Sequence, residues 1–203
     1  MEVKAKKQGE RTGRPRSFDV EKALDCAMEV FRAKGYEGAS LADLTEAMGI
    51  NRPSMYAAFG DKESLFRKVL QRYTCWVDSF FKKALAAPTA RAVAAGLLYA
   101  AAEMQTSGDV RGCLLTQGAL ACGDEGEPIR RKLASLRRGN EVMIRERLQR
   151  AKKEGDLPAE VNPADLARYL TTVMQGMSVL AKGGASRAEL RRVAETALRA
   201  FPE

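Results

Sequence analysis

The sequence predicts an all-α fold. The long segments place apolar residues three and four positions apart, as one helical face requires, and we find no convincing alternation of apolar and polar residues of the kind that marks a strand. Glycine or proline separates these periodic segments. With 203 residues, of which 45% are hydrophobic and 30% charged, the chain can bury one sizeable core or two small ones.

Four helices are predicted in the first part of the chain, because residues that cap helices precede each periodic segment and helix breakers follow it. The predicted caps are Asp19, Ser40, Asn51 and Asp61, and the predicted ends are Gly35, Gly49, Gly60 and Ala87-Pro88. Five further helices are expected at about residues 89–106, 114–122, 127–154, 163–182 and 187–200.

The composition narrows the chemistry that the chain can perform. A formal net charge of +8 favours a polyanionic partner such as nucleic acid. Histidine is absent and the four cysteines show no C-x-x-C spacing, so we expect no metal site, no cofactor and no enzyme that depends on a histidine base. The N-terminus lacks the apolar stretch of a secretory signal, and no apolar run approaches the roughly 18 residues of a membrane span. A cytoplasmic location is therefore expected.

The predicted second and third helices, joined through Gly49, form a helix-turn-helix pattern in which the short third helix would enter a DNA groove. The residues expected to face outward are Arg52, Ser54, Ala57 and Ala58, with Met55 and Phe59 anchored inward. Tyr56 and Lys62 are placed to contact phosphates. The alternative is a short connecting helix in a bundle, with Tyr56 as a half-buried packing residue.

A basic arm precedes the first predicted helix. Six basic residues stand against two acidic ones in residues 1–16, with no apolar periodicity. Arg14 and Arg16, at its end, are placed to reach a minor groove or the DNA backbone. The alternative is a solvated tail that only aids solubility.

These residues resemble the DNA-binding domain of TetR-type transcriptional regulators. The resemblance covers residues 18–70 and depends on the Phe31…Gly35-Tyr36 end of the first helix, the Ser40-x-x-x-Leu44 second helix, Gly49-Ile50, and the Tyr56-x-x-Phe59-x-x-Lys62-x-x-Leu65 signature. It implies that a set of residues faces DNA, namely Ser40, Asn51, Arg52, Pro53, Ser54, Tyr56, Ala57 and Lys62. The pair Ala57-Ala58 departs from the family, which often has aromatic or polar residues there, so operator recognition would depend on Arg52, methyl contacts and DNA shape.

In this family the rest of the chain is a helical domain that binds a ligand and forms the dimer. The order of the helices and the segment Arg111-Gly-Cys-Leu-Leu115 resemble that domain. The last two predicted helices carry apolar residues at helical spacing, and two copies could form a four-helix bundle across a two-fold axis. The predicted interface residues are Leu166, Leu170, Val173, Met177, Leu190, Val193, Ala194, Ala197 and Leu198. The alternative is that these residues form the core of a single chain.

A ligand pocket is expected among aromatic, methionine and cysteine side chains of the C-terminal part. The candidates are Trp76, Phe80, Tyr99, Met104, Cys113, Met143, Tyr169 and Met174. Cys113 also lies at a predicted helix start beside Arg111, where a thiolate is stabilised, so a redox or electrophile sensor is an alternative to a buried, inert cysteine. The basic run from Arg130 to Lys153 is expected to be a solvated face, with attraction of anionic effectors as the alternative.

The sequence thus predicts a basic arm at residues 1–17, a DNA-binding domain at 18–62 and an effector-binding and dimerisation domain at 63–203. Its expected function is that of a homodimeric regulator, a repressor rather than an activator, which binds a palindromic operator and is released by a small molecule. A helical enzyme or carrier is the alternative from another class, and a module that binds membrane surfaces is a third.

Overall fold

The structure, a computed structural model, describes residues 18–120 and 126–202, and this part of the chain consists of nine α-helices without a strand. The all-α prediction is confirmed. The predicted arm with Arg14 and Arg16 lies outside the described residues, as does Cys122. The helices are α1 (Val20–Gly38), α2 (Leu41–Met48), α3 (Arg52–Phe59), α4 (Lys62–Leu85), α5 (Ala90–Gln105), α6 (Leu114–Leu120), α7 (Glu127–Lys153), α8 (Pro163–Lys182) and α9 (Arg187–Arg199).

The first four helices begin at the residues that the sequence predicts, because each cap satisfies backbone amides that a helix start leaves without a partner. The Asp19 carboxylate accepts from the amides of the first turn of α1, and the Asn51 Oδ1 accepts from the amide of Ser54 at 2.9 Å. Ser40 and Asp43 form a reciprocal capping box, and Asp61 accepts from the amide of Ser64 at 2.7 Å.

The end of α1 differs from the prediction. Gly35 was expected to terminate the helix, and its backbone does leave the helical region, with a φ of 73° and a ψ of 179°. Helical structure then resumes and continues to Gly38. Gly35 therefore introduces a break within α1, which a residue with a side chain would adopt only at a cost.

The first core joins α1, α2, α3 and α4. Phe31 of α1 and Phe66 of α4 are fully buried, and their rings meet edge to face with centroids 4.8 Å apart. Met55 and Phe59 of α3 belong to the same cluster. This core does not stop at the predicted domain boundary, because it continues along α4 into α6 and the start of α7.

The second core is built around α5, which packs against α4, α8 and α9. Leu97 and Leu98 of α5 are buried against Leu170 of α8 and Ala194 of α9. Within residues 18–120 and 126–202, no helix is long and apolar enough to cross a membrane.

This second core contains or contacts all the residues of the predicted dimer interface. Seven of the nine predicted interface residues are buried inside the single chain, and the other two are half-buried against the same core. The buried seven are Leu166, Leu170, Met177, Leu190, Ala194, Ala197 and Leu198, and the half-buried two are Val173 and Val193. The intramolecular alternative therefore describes them, because the apolar face of each helix turns toward α5.

The basic run of α7 is also not uniformly solvated. Arg147 is only 7% exposed, and its guanidinium donates to the carbonyl oxygens of Leu85, Ala87 and Pro88 at 3.0, 2.7 and 3.1 Å. It thus satisfies carbonyl groups where α4 ends. Arg137 is partly buried as well, whereas Arg138 beside it is exposed.

Candidate nucleic-acid interface and internal cavity

The turn between α2 and α3 depends on Gly49. Gly49 adopts the left-handed conformation, with a φ of 64°, and its amide donates to the carbonyl oxygen of Glu46 at 3.0 Å. The amide of Ile50 donates to the carbonyl oxygen of Thr45 at 3.1 Å. These bonds close the end of α2 and turn the chain so that α3 can begin two residues later.

The two sides of α3 have different surroundings. Met55 is fully buried and Phe59 is 2% exposed, as the sequence predicts. Arg52, Pro53 and Ala57 are exposed, and Tyr56 is 49% exposed although it is aromatic. Ser54 and Ala58 are half-buried. The outward side therefore presents a cation, a phenol and small side chains, a combination that fits against phosphates and base edges.

Two of the predicted DNA-facing side chains also hold the helix starts in place. The Ser40 hydroxyl donates to a carboxylate oxygen of Asp43 at 2.8 Å and accepts from the amide of the same residue at 3.1 Å. Asn51 uses its Oδ1 for the cap of α3, and its side chain is exposed. Both residues consequently stabilise the first turn of their own helix, α2 or α3, whatever else they contact.

Lys62 is more constrained than the sequence indicates. Its Nζ lies 4.8 Å from the centre of the Tyr36 ring and donates to the carbonyl oxygen of Glu37 at 3.3 Å. Burial lowers the pKa of Lys62, although the nearby carboxylate of Glu37 opposes this effect. Lys62 therefore links the start of α4 to the end of α1, a contact between residues too distant in the sequence for helical spacing to predict.

Asp43 joins the capping box of α2 to α1. The Nζ of Lys34 donates to its Oδ1 at 2.6 Å, and this bond is the main reason why the pKa of Asp43 falls to about 2. The amide and hydroxyl of Ser40 lower the pKa further. The ionised carboxylate thus ties together the two helices that position α3.

A cavity of about 80 Å³ lies between α4, α5, α6, α7 and α8. Its walls are largely apolar, and the apolar residues that line it include Val77, Phe80, Phe81, Leu97, Met104 and Leu115. Its polar groups include Gln105, Cys113, Thr116, Arg137, Asn140 and Thr171. An apolar pocket with a few polar groups has the character of a small-molecule site.

Four of the eight predicted pocket residues line this cavity, namely Phe80, Met104, Cys113 and Met174. The other four do not, and the structure gives each another position. Trp76 is 38% exposed and packs edge-on against Phe80, and Tyr99 lies 5.9 Å from the guanidinium carbon of Arg191. The Tyr169 hydroxyl donates to the carbonyl oxygen of Ala197 at 3.3 Å, and Met143 is half-buried on α7.

Sequence reasoning missed Tyr73, Gln105 and Arg137 as cavity residues. Tyr73 belongs to the regular apolar face of α4, so its spacing indicates only core packing. Gln105 and Arg137 are polar residues near charged or exposed neighbours, and their position on the cavity wall follows from the packing of α5 and α7. The sequence contains no signal that separates Arg137 from Arg138.

Cys113 has a defined environment on the cavity wall. The buried Tyr73 hydroxyl donates to its Sγ at 3.3 Å and accepts from the amide of Leu114 at 3.3 Å. Burial raises the pKa of Tyr73 well above its usual value, and proximity to Cys113 raises it further. The amide of Cys113 donates to the Ser178 hydroxyl at 2.8 Å, which connects α6 to α8.

Comparisons with known proteins agree with this geometry. Residues 23–69 match the family model for bacterial regulatory proteins of the tetR family, and residues 91–197 match the tetracyclin repressor-like C-terminal domain. The chain is 36% identical to the HTH-type transcriptional repressor ComR of Escherichia coli strain K12, over 94% of this chain and 92% of ComR. It is 31% identical to the HTH-type transcriptional repressor BdcR of the same strain, over 91% of this chain and 90% of BdcR.

A solved structure leads to the same family. A cysteine mutant of the TetR family transcriptional regulator CifR, in complex with 26-bp double-strand operator DNA, superposes with a TM-score of 0.88 at 45% sequence identity. The match covers 93% of this chain and 100% of that one. The two family models together span most of the chain, including α2, α3 and the parts of α5, α6, α7 and α8 that line the cavity. The chain therefore belongs to the TetR family of bacterial regulatory proteins.

Proposed function

We propose that this protein is a homodimeric transcriptional repressor that binds a palindromic DNA operator through α3 and is released by a small molecule bound in the internal cavity. The main support is the exposed side of α3, where Arg52 and Tyr56 project from a helix anchored by Met55 and Phe59. Its relatives ComR and BdcR are named repressors, and its structural neighbour CifR is bound to operator DNA. Because bacterial operators lie in the cytoplasm, we expect the protein to act there.

Each predicted DNA-facing residue receives a role in this proposal. Arg52 contacts bases or phosphates from the start of α3, and Tyr56 donates its hydroxyl to a phosphate. Pro53, Ser54 and Ala57 allow the backbone of α3 to approach the groove. Ser40 and Asn51 contact the DNA backbone while they cap α2 and α3, and Lys62 contacts it while it links α4 to the end of α1.

The proposed domains meet at α4. We assign residues 18–62 to DNA binding and residues 63–203 to effector binding and dimerisation. Helix α4 contributes Phe66 and Val69 to the first core and Val77 and Phe80 to the cavity wall. A ligand that displaces the cavity end of α4 would therefore also move α1 and α3, which pack against α4. A coupling of about 1–3 kcal/mol between the ligand and DNA sites would lower operator affinity roughly 5- to 150-fold.

The proposed dimer surface lies on the side of α8 that faces away from α5. Val179 and Leu180 are 51% and 49% exposed, which is unusual for large apolar residues. Thr172 and Gly176 lie on the same side, and a Cβ built on Gly176 would meet no atom within 4 Å. We therefore propose this side of α8 as the dimer interface in place of the buried residues that the sequence predicted. A second copy could approach it closely.

The experiment for the proposed function is a selection of bound fragments from randomised duplex DNA at two salt concentrations. Recovery of a palindrome, with half-sites about one helical turn or a multiple of it apart, is expected for a dimer with two copies of α3. Recovery of no common sequence, with binding that disappears as salt rises, would indicate only polycation attraction and would reject the proposal.

A second candidate for the release signal is covalent modification of Cys113. The supporting observation is that its Sγ lines the cavity and accepts a hydrogen bond from Tyr73, so added atoms there would disturb α4, α6 and α8 together. Treatment with N-ethylmaleimide should release operator DNA from the wild type but not from Cys113→Ser. The control is Cys75→Ser, which removes an exposed thiol on α4 and should leave the response unchanged. If N-ethylmaleimide also released operator DNA from the Cys113→Ser variant, this mechanism would be rejected.

A further inference from the structure

A buried acceptor on the cavity wall has no hydrogen-bond donor. Gln105, the last residue of α5, is 8% exposed and lines the cavity. Its Nε2 donates to the carbonyl oxygen of Met174 at 3.0 Å, and this bond fixes which end of the amide is nitrogen. Within the described part of the chain, no group donates to the remaining Oε1. Buried polar atoms are normally paired, so a compound in the cavity would bind more favourably if it supplied this donor.

A cation lines the same cavity. Arg137 of α7 is partly buried, and one of its amino groups donates to the carbonyl oxygen of Leu115. Among residues 18–120 and 126–202, no carboxylate forms an ion pair with it. Burial lowers the pKa of Arg137; the nearby Cys113 opposes this effect, and the positive neighbour Arg138 adds to it. An anionic group in the cavity would compensate the charge of Arg137 by a charge-assisted hydrogen bond.

The remaining walls limit the size and polarity of the compound. The volume of about 80 Å³ is well below the roughly 300–1,000 Å³ of sites for drug-sized ligands, which favours a compound of only a few non-hydrogen atoms. Phe80, Leu97 and Met104 line the space and favour an apolar carbon chain. The three requirements together are an anion, a hydrogen-bond donor and a short hydrocarbon body.

We propose that the cavity binds a short-chain hydroxylated carboxylate, whose carboxylate pairs with Arg137 and whose hydroxyl donates to the Oε1 of Gln105. This inference extends the proposed effector response by naming the chemical class of the effector. It concerns binding in the cavity and can be tested without DNA.

The single tryptophan provides the measurement. Trp76 packs edge-on against Phe80, with ring centroids 5.3 Å apart, and Phe80 lines the cavity. DNA-free protein is titrated with 2-, 3- and 4-hydroxybutyrate, with butyrate, which lacks the hydroxyl, and with 1,3-butanediol, which lacks the charge. We expect at least one hydroxybutyrate to change the Trp76 fluorescence saturably and to bind at least about tenfold more tightly than either reference compound.

A matched pair of variants locates the binding. Arg137→Met and Arg138→Met each remove one positive charge from adjacent positions of α7, but only Arg137 lines the cavity. We expect Arg137→Met to weaken hydroxybutyrate binding at least about tenfold, whereas Arg138→Met changes it less than about twofold. Equal effects of the two variants would overturn the proposal, because the anion would then be responding to the overall charge of α7.

The ligand comparison on the wild type decides the proposal even if Arg137→Met fails to fold. Absence of saturable binding by all three hydroxybutyrates, or equal binding of butyrate or 1,3-butanediol, would overturn it. The operator selection is done without ligand, so its failure would reject the regulator and leave the ligand titration unaffected. Failure of the titration alone would reject the effector class and leave the operator proposal standing.

Discussion

The Nζ of Lys182, at the end of α8, donates a hydrogen bond to the carbonyl oxygen of Ala33 in α1 at 2.9 Å. It also donates to the carbonyl oxygen of Arg32 at 3.3 Å. These carbonyl groups lie just before the break at Gly35, where an uninterrupted helix would have supplied backbone donors. Because α8 also lines the cavity, Lys182 provides a direct contact between a helix of the cavity wall and α1.

Lys182→Met should loosen the second half of α1. The change keeps most of the side-chain length but removes the donor, so the carbonyl groups of Arg32 and Ala33 lose their long-range partner. We expect faster amide exchange in residues 34–38, measured by hydrogen–deuterium exchange with mass spectrometry. The control is Lys153→Met on the exposed end of α7. Unchanged exchange in α1 would show that Lys182 does not hold it.

Arg52→Ala should weaken the operator complex and relax its sequence preference. A bidentate contact from arginine to a base contributes about 1–3 kcal/mol of discrimination, so tenfold weaker binding to the preferred site is expected. The control is Arg192→Ala, which removes one exposed positive charge from α9. Gel-shift titrations on preferred and scrambled duplexes compare the two variants. Equal losses on both duplexes would assign Arg52 to phosphate contact instead.

Val179→Asp together with Leu180→Asp should dissociate the proposed dimer. Both side chains are about half exposed in the single chain, so the change should leave the fold of each copy intact. Two desolvated carboxylates in an apolar interface are strongly unfavourable. Light scattering coupled to size exclusion should then give the mass of one chain, and operator affinity should fall. A control, Ala159→Asp in the exposed segment before α8, should remain dimeric.

Tyr73→Phe should destabilise the junction of α4 and α6. The hydroxyl accepts from the amide of Leu114 and donates to Cys113, and its removal leaves a buried amide without this partner. The expected loss in the free energy of unfolding is about 1–3 kcal/mol, measured by urea denaturation. Tyr56→Phe is the control, since Tyr56 is exposed on α3. Similar stabilities of the two variants would contradict this role for the Tyr73 hydroxyl.

Asp43 should make stability depend on pH in the acid range. Its pKa falls from 3.8 to about 2 in the folded state, mainly through the bond from Lys34, so folding favours the ionised form. This contribution is complete above the unfolded pKa and is lost as the pH decreases from about 4 toward 2. Asp43→Asn should therefore show a shallower decrease in melting temperature over that range than the wild type. An Asp109→Asn control, which changes an exposed carboxylate, should follow the wild type.

Local signals determined where the first four helices begin. Asp19, Ser40, Asn51 and Asp61 each cap the helix that the sequence predicts, because a cap contacts amides only two or three residues away. The inward positions of Met55 and Phe59 likewise follow from their spacing of one helical turn. The family resemblance could be recognised for the same reason, since its motifs are short and contiguous.

Only the tertiary structure decided which partner each helical face meets. From the sequence alone, the apolar faces of α8 and α9 could pack either against a second copy or against α5, because periodicity identifies an apolar face but not the element that covers it. In the structure they pack against α5. The same limit applies to charged residues. The sequence does not distinguish the arginines of the basic helix α7. In the structure, however, Arg137 lines the cavity, Arg138 is exposed, and Arg147 donates to the carbonyl groups at the end of α4. These differences depend on contacts between residues distant in the sequence, whereas helix caps and helical periodicity depend on residues only a few positions apart.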